Sequence, residues 1–213
     1  MRRLAIVIGI LVCAATLWAS HAWAFKDHTR SGWLVGVGYG GGMGQFTPGP
    51  APSPDPARSD ESERGAAPQM RVGRILSPRW MLGANYEGWL YERGDVNVKH
   101  RYSLQNIALA ATFFPGDPQN ASGGLFLRGG VGLGWGRYAN VPLYEEAGEI
   151  EQEHGTNTDE SGLGLVFGVG YEFRVARHFA AGMAADVNYL MIDQDVFEDG
   201  LYVPVTLNLN WYF

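Results

Sequence analysis

Residues 201–213 read LYVPVTLNLNWYF, and this stretch decides the fold. Leu201, Val203, Val205, Leu207, Leu209, Trp211 and Phe213 share one parity, and Thr206, Asn208 and Asn210 share the other. A period of two belongs to a β-strand, whose successive side chains point to opposite faces. The run is much longer than the ~5–6 residues usual in soluble sheets. A tilted strand needs about 9–11 residues to cross a bilayer.

The same period recurs back along the chain. Leu163 to Val175 sets Leu163, Leu165, Phe167, Val169, Tyr171 and Phe173 against Gly164, Gly168, Gly170, Glu172 and Arg174. Leu125 to Tyr138 and Phe179 to Met191 alternate likewise, as do Trp33 to Gly40, Gln69 to Leu76 and Trp80 to Tyr91. Arg101 to Phe114 changes phase midway, so a bulge near Gln105 is expected. That makes eight strands.

Their connections alternate in length. Thr47–Ala66 and Ala139–Ser161 are long, Ser77–Arg79 and Ala176–His178 very short, and Pro115–Gly124 intermediate. Short turns on one side and long loops on the other mark outer-membrane barrels. The expected fold is all-β, an eight-stranded antiparallel up-and-down transmembrane β-barrel over residues 25–213. Loops 47–66, 92–100, 139–161 and 192–200 are then extracellular, and both mature termini periplasmic.

Composition agrees. Glycine supplies 30 of 213 residues, about twice the average share of ~7%. Charged residues make up 18%, and Lys26 and Lys99 are the only lysines. A chain that is 46% hydrophobic is not a disordered one. The net charge of −6 excludes the basic footprint of a nucleic-acid binder.

The first 24 residues read as an export signal. Arg2 and Arg3 precede the apolar stretch Leu4 to Leu17, and Ala22-Trp23-Ala24 supplies small residues for cleavage after Ala24. The apolar run falls short of the ~20 residues of a spanning helix. Cys13, the only cysteine, follows Val12, where a lipobox needs a small residue, so ordinary cleavage is expected and no thiol remains in the mature chain.

One face must meet lipid and the other must fill a narrow lumen. The aromatic and β-branched face suits lipid, with Trp33, Tyr39, Trp80, Tyr86, Trp135, Tyr171 and Trp211 as interface aromatics. By strict alternation Arg74 also falls on the lipid face, snorkelling near the periplasmic rim. The other face is rich in Gly, Ala and Asn and suits an eight-stranded interior filled by side chains. It also carries Arg71, Glu87, Arg128, Glu172, Arg174 and Asp186, three of each sign, as ions paired in a tight lumen require. Two readings follow: a salt-bridged plug, or a gated polar path for a small solute or ion.

The carboxy-terminal strand carries a family resemblance. Leu207, Leu209, Trp211 and the terminal Phe213 look like the β-signal read by the assembly machinery of Gram-negative outer membranes. With the opening Gly-Trp-Leu-Val-Gly-Val-Gly-Tyr-Gly-Gly-Gly from Gly32, the chain resembles the small OmpA/OmpX/OmpW-like barrel families, without a C-terminal soluble domain. The resemblance implies an outer-membrane protein with a structural or surface-interaction role and no enzyme activity. It also implies contact with outer-membrane lipid and lipopolysaccharide, the barrel assembly machinery as a partner in biogenesis, and a monomer. The alternative it implies is an OmpW-like passage for small hydrophobic or polar solutes.

Catalytic and cofactor signals are poor. His28, His100, His154 and His178 are not spaced as metal ligands, so no metal or cofactor is expected. His100 and Ser103 offer a third reading, a membrane-embedded lipid hydrolase, since lipid A deacylases are similar in architecture and carry a His-Ser pair. A spacing of three within a strand, however, puts these two on opposite faces. The glycines after Trp33 lack the Lys-Ser/Thr ending of a phosphate loop. Leu143 to Glu160 holds Glu145, Glu146, Glu149, Glu151, Glu153, Asp159 and Glu160 with His154, a run read first as a solvated acidic loop and second as a calcium site. The prolines Pro48, Pro50, Pro52, Pro54 and Pro56 predict an extended first loop.

Overall fold

Alternation fixes the two faces, and hydrogen-bond register closes them into a ring. The structure, a computed structural model, describes residues 30–48, 62–95, 98–116, 123–142, 144–146, 149–151, 157–193 and 197–213. The export-signal reading of 1–24, Lys26, His28, His154 and most of the first loop lie outside these residues. So do the side chains of 140–157, which include most of the acidic loop.

Ten strands run β1(Trp33–Pro48), β2(Glu63–Ser77), β3(Trp80–Asp95), β4(Val98–Phe113), β5(Gly123–Pro142), β6(Tyr144–Glu146), β7(Glu149–Glu151), β8(Asn157–Ala176), β9(Phe179–Met191) and β10(Phe197–Tyr212). Eight close into a barrel in the order β1-β10-β9-β8-β5-β4-β3-β2, and β6 and β7 form a separate hairpin. All pairs are antiparallel.

The stagger can be followed once around. Trp80 pairs Phe113, then Leu127, Val169, Ala185, Val205, Gly41 and Ala66 in turn, and the path returns to β3 at Leu90. The circuit closes ten residues above its start, a shear of about 10 for eight strands. With roughly 3.3 Å per residue and roughly 4.8 Å between strands, the strands tilt about 40°. Trp80 to Leu90 then climbs about 25 Å, the height of an outer-membrane apolar band.

The outer face bears this out residue by residue. Val35, Val37, Leu82, Leu109, Leu133, Phe167, Val187 and Leu207 are exposed along it. Above the band the outward positions turn polar, at Gln45, Arg64, Glu92, Arg101, Arg137 and Asp159. Below it Trp33, Trp80, Trp211 and Phe213 ring the other end. Arg74 lies beside them, its guanidinium 6.0 Å from the Trp33 ring. There the first and last strands clasp: Phe213 N–H donates to Trp33 O at 2.9 Å and Trp33 N–H to Phe213 O at 3.2 Å.

Several sequence expectations need correction. Strands outrun the apolar periodicity: β1 reaches Pro48, β2 starts at Glu63, β3 and β4 run to Asp95 and from Val98, and β10 starts at Phe197. The loops 47–66, 92–100, 139–161 and 192–200 are shortened accordingly. Ladder hydrogen bonds, which any alternating polar sequence can make, carry the strands beyond the lipid. No bulge occurs near Gln105, which pairs Gly88 and Trp135 in unbroken register. The apparent phase change arises because Tyr102 and Leu104 are apolar yet buried on the inner face.

Glycine abundance has a steric origin. A Cβ at Gly44 or Gly65 would strike the Trp89 side chain, one at Gly134 would strike Leu190, and one at Gly170 would strike Phe126. A Cβ at Gly168 would strike Asp186. Small residues on one side of the lumen make room for large ones from the other.

Candidate functional site

The lumen is built in three layers, each from inward positions of several strands. At the end where β1 begins and β10 finishes, Leu34, Ile75, Met81, Phe114, Phe126 and Tyr212 form an apolar floor. At the opposite end Trp89, Tyr102, Leu104, Tyr138, Leu190, Ile192 and Tyr202 form a roof, with Phe46 and Tyr91 packed against it. Polar side chains fill the middle.

The middle layer centres on Arg128. Its Nη2 lies 2.5 Å from Asp186 Oδ1 and 3.3 Å from Glu87 Oε1, and its Nη1 donates to Asn85 Oδ1 at 3.1 Å. Two carboxylates thus share one guanidinium, and amides supply the rest. Gln69 Nε2 donates to Glu87 Oε1 at 2.8 Å and to Asp186 Oδ2 at 3.1 Å. Asn85 Nδ2 and Asn188 Nδ2 donate to the two Glu87 oxygens at 2.6 Å and 2.5 Å. Asn106 Nδ2 donates to Asn188 Oδ1 at 3.0 Å, and Tyr202 Oη from the roof donates to Glu87 O at 2.9 Å. Buried carboxylates keep their charge only when so surrounded by donors. Beside this web a void of about 10 Å³, lined by Arg71, Asn85, Thr112 and Arg128, has room for about one water. Thr112 Oγ1 and Arg128 Nε have no protein partner among the described residues.

The polar groups set against the apolar side chains of the floor have the opposite balance of charge. Glu172 accepts from Arg30 Nε at 3.1 Å, from Asn210 Nδ2 at 3.1 Å and from Tyr212 Oη at 2.5 Å. Arg71 donates to Asn210 Oδ1 through Nη2 at 2.8 Å, so it reaches Glu172 only through an amide. The Arg174 guanidinium lies 3.8 Å above the Tyr212 ring, and its Nη1 donates to Arg177 O at 3.0 Å. Arg30 stacks 4.0 Å from the Phe114 ring. Three arginines surround one carboxylate.

All six charged residues expected in the lumen are therefore inward and buried, but not as three balanced pairs. Glu87, Asp186 and Arg128 form one group; Glu172, Arg71 and Arg174 belong to another. Sequence reasoning misses Arg30, since it precedes the first strand and has no alternation to place it. It also misses the roof aromatics, because it treats the inner face as the non-aromatic one.

The expected interface aromatics all point outward. Trp33, Trp80 and Trp135 lie near the ends of the apolar band, whereas Tyr171 stands above the outward Phe173 and Val175, well inside it. Tyr39 and Tyr86 need correction: each lies six residues above the lower rim, in mid-band, where Tyr39 faces Leu207 and Pro68. Tyr86 Oη donates to Gln105 Oε1 at 3.0 Å, which keeps its hydroxyl paired inside the lipid zone. In the terminal strand Leu207, Leu209, Trp211 and Phe213 are exposed on the outer face.

His100 and Ser103 stand on opposite faces. His100 Nδ1 is 2.9 Å from Tyr138 Oη on the inner side, and Ser103 Oγ accepts from Gln105 Nε2 at 3.3 Å on the outer side. Among the described residues no three His, Cys, Asp or Glu side chains converge as metal ligands.

No family model matches the chain, and no curated protein matches it. Solved structures do. The Neisserial surface protein A superposes with a TM-score of 0.56 at 13% identity, over 86% of this chain and 99% of that one. A major outer membrane protein of Thermus thermophilus gives 0.51 at 11% identity, over 85% and 99%. Ail, the attachment invasion locus protein of Yersinia pestis, gives 0.50 at 13%, over 85% and 99%. At such identities the likeness is one of fold.

Proposed function

We propose that this chain, which has the fold of the small eight-stranded outer-membrane β-barrels, spans the outer membrane as a closed barrel whose work is structural or at the cell surface. Residues 1–24 are its removed export signal in this reading. The observation that carries it is the lumen: an apolar floor, an ion and amide web and an aromatic roof follow one another along the axis. Eight strands leave an interior just wide enough for side chains to fill. A solute path would have to displace Trp89, Leu104, Leu190 and Tyr202, each under 2% exposed. The same packing opposes a hydrophobic passage of the OmpW kind. Refolded protein in planar bilayers is expected to give no steady conductance; reproducible unitary steps overturn the plug.

Surface contact is supported by strands such as β3, β4, β5 and β8, which continue beyond the apolar band towards the outer connections. Ail, a structural neighbour, is by name an attachment protein. Outer-membrane lipid, lipopolysaccharide and the assembly machinery are the partners this reading requires. In it, Leu207, Leu209, Trp211 and Phe213 form the assembly signal, and Phe213 also closes the β1–β10 seam through its backbone. Deleting Phe213 is expected to lower the yield of heat-modifiable barrel in membranes. An unchanged yield overturns the signal.

A further inference from the structure

We infer that the floor of the lumen is a binding site for a phosphate-type oxyanion, held by Arg30 and Arg174. Three observations converge on it. First, the two guanidiniums flank one unit: Arg30 bonds Glu172, Tyr212 bonds the same carboxylate oxygen, and Arg174 lies on the face of that Tyr212 ring. Second, both arginines are more than nine-tenths buried, yet Arg30 Nη2, Arg174 Nε and Arg174 Nη2 have no partner among the described residues. Third, among the described residues Arg30, Arg71 and Arg174 stand around Glu172, an excess of two positive side chains in that layer.

Buried guanidinium groups normally find carboxylate or phosphate oxygens, and unmet charged donors are costly. The free atoms belong to that pattern. Arg174 offers Nε and Nη2, the adjacent edge of a guanidinium that matches two oxygens of one oxyanion. Arg30 Nη2 lies beside Gly124, 3.8 Å from where a Cβ on that residue would sit. The turn beyond adds the exposed side chains of Arg177 and His178 at the same end of the barrel. By contrast, the middle layer has an excess of carboxylate and amide donors committed to it. The floor is the complementary half, completed from outside the chain.

The oxyanion can come from a phospholipid headgroup or from free phosphate, and the test separates them. The full chain is refolded in zwitterionic detergent and titrated calorimetrically with inorganic phosphate, with chloride at equal ionic strength as reference. One saturable site is expected. It should weaken about tenfold or more in Arg174→Gln and stay unchanged in Arg101→Gln, an exposed arginine at the opposite end of the barrel. If Arg174→Gln fails to fold, phenylglyoxal labelling of the unmodified chain serves: phosphate should protect Arg30 and Arg174 but not Arg101. Adding anionic phosphatidylglycerol to the micelles removes the phosphate heat if headgroups occupy the site and leaves it if they do not. Absence of saturable heat and of protection, or equal losses in both variants, overturns the inference.

Discussion

The middle and the floor of the lumen solve the problem of buried charge in opposite ways. Around Arg128 two carboxylates outnumber the cation, and Gln69, Asn85 and Asn188 complete them with short amide bonds. Around Glu172 three arginines outnumber the anion, and aromatic faces take the place of missing counter-charges: Phe114 under Arg30, Phe126 5.3 Å from Arg71, Tyr212 under Arg174. Rings accept a cation at modest gain, about 2 kcal/mol when desolvated. They leave its N–H groups unpaired. The middle is therefore the more complete lock, with Arg128 Nε and Thr112 Oγ1 left beside a water-sized void, and the floor is the less complete one.

The largest effect should come from breaking the lock. Arg128→Met removes the guanidinium that Glu87 and Asp186 share and leaves two carboxylates facing each other in a sealed space. Removal of one partner from a buried pair costs about 3–5 kcal/mol. Urea unfolding in micelles, followed by the heat-modifiable band, should show a loss of that order. The triple variant Arg128→Met with Glu87→Gln and Asp186→Asn should recover much of it, because the uncompensated charges go as well. A single variant as stable as the unmodified barrel would mean that the middle layer is not the lock described.

Tyr212→Phe probes the floor, and its cost should be smaller. It removes the 2.5 Å hydroxyl bond to Glu172 while keeping the ring beneath Arg174. Hydrogen bonds to charged groups contribute about 1.5–3 kcal/mol. The loss should lie at or below that range, because Arg30 and Asn210 still serve Glu172. A loss as large as that of Arg128→Met would erase the distinction between the more and the less complete layer.

These two layers also mark how far the sequence can be read. Parity alone places Arg71, Glu87, Arg128, Glu172, Arg174 and Asp186 inward, because a strand leaves each side chain one of two faces. It cannot assign partners, since those depend on a shear of ten residues that aligns β2 with β9 across the lumen. Gln69 meets Asp186 over a separation of 117 residues. Amides that complete the web carry no charge to single them out. The aromatic roof is illegible for a different reason. Above the apolar band the outward side turns polar and the inward side apolar, so the rule relating hydrophobicity to face inverts along a single strand, as at Tyr102 and Leu104.

The smallest expected effect lies outside both layers, on the outer rim, where ion pairs join neighbouring strands in water. Arg137 binds Asp159 with a side-chain hydrogen bond across β5 and β8, and both groups are about half exposed. They lie two residues or more above Trp135 and Ser161, beyond the apolar band. The hydrogen bond to Arg137, aided by its charge, holds the Asp159 carboxyl below the usual carboxylate range. A carboxyl depressed in the folded state stabilises it fully above the unfolded value near 3.9, and that contribution is lost as pH falls through the lower folded value. Exposed pairs of this kind contribute at most about 1 kcal/mol. Arg137→Gln should therefore lower stability slightly at neutral pH, with the difference from the unmodified barrel shrinking as pH falls below the unfolded carboxyl value of about 3.9. Parallel urea curves at neutral and acid pH read this directly. If the variant lost as much stability as Arg128→Met, charge on the rim would be holding the barrel, and the lumen would not be the seat of its stability.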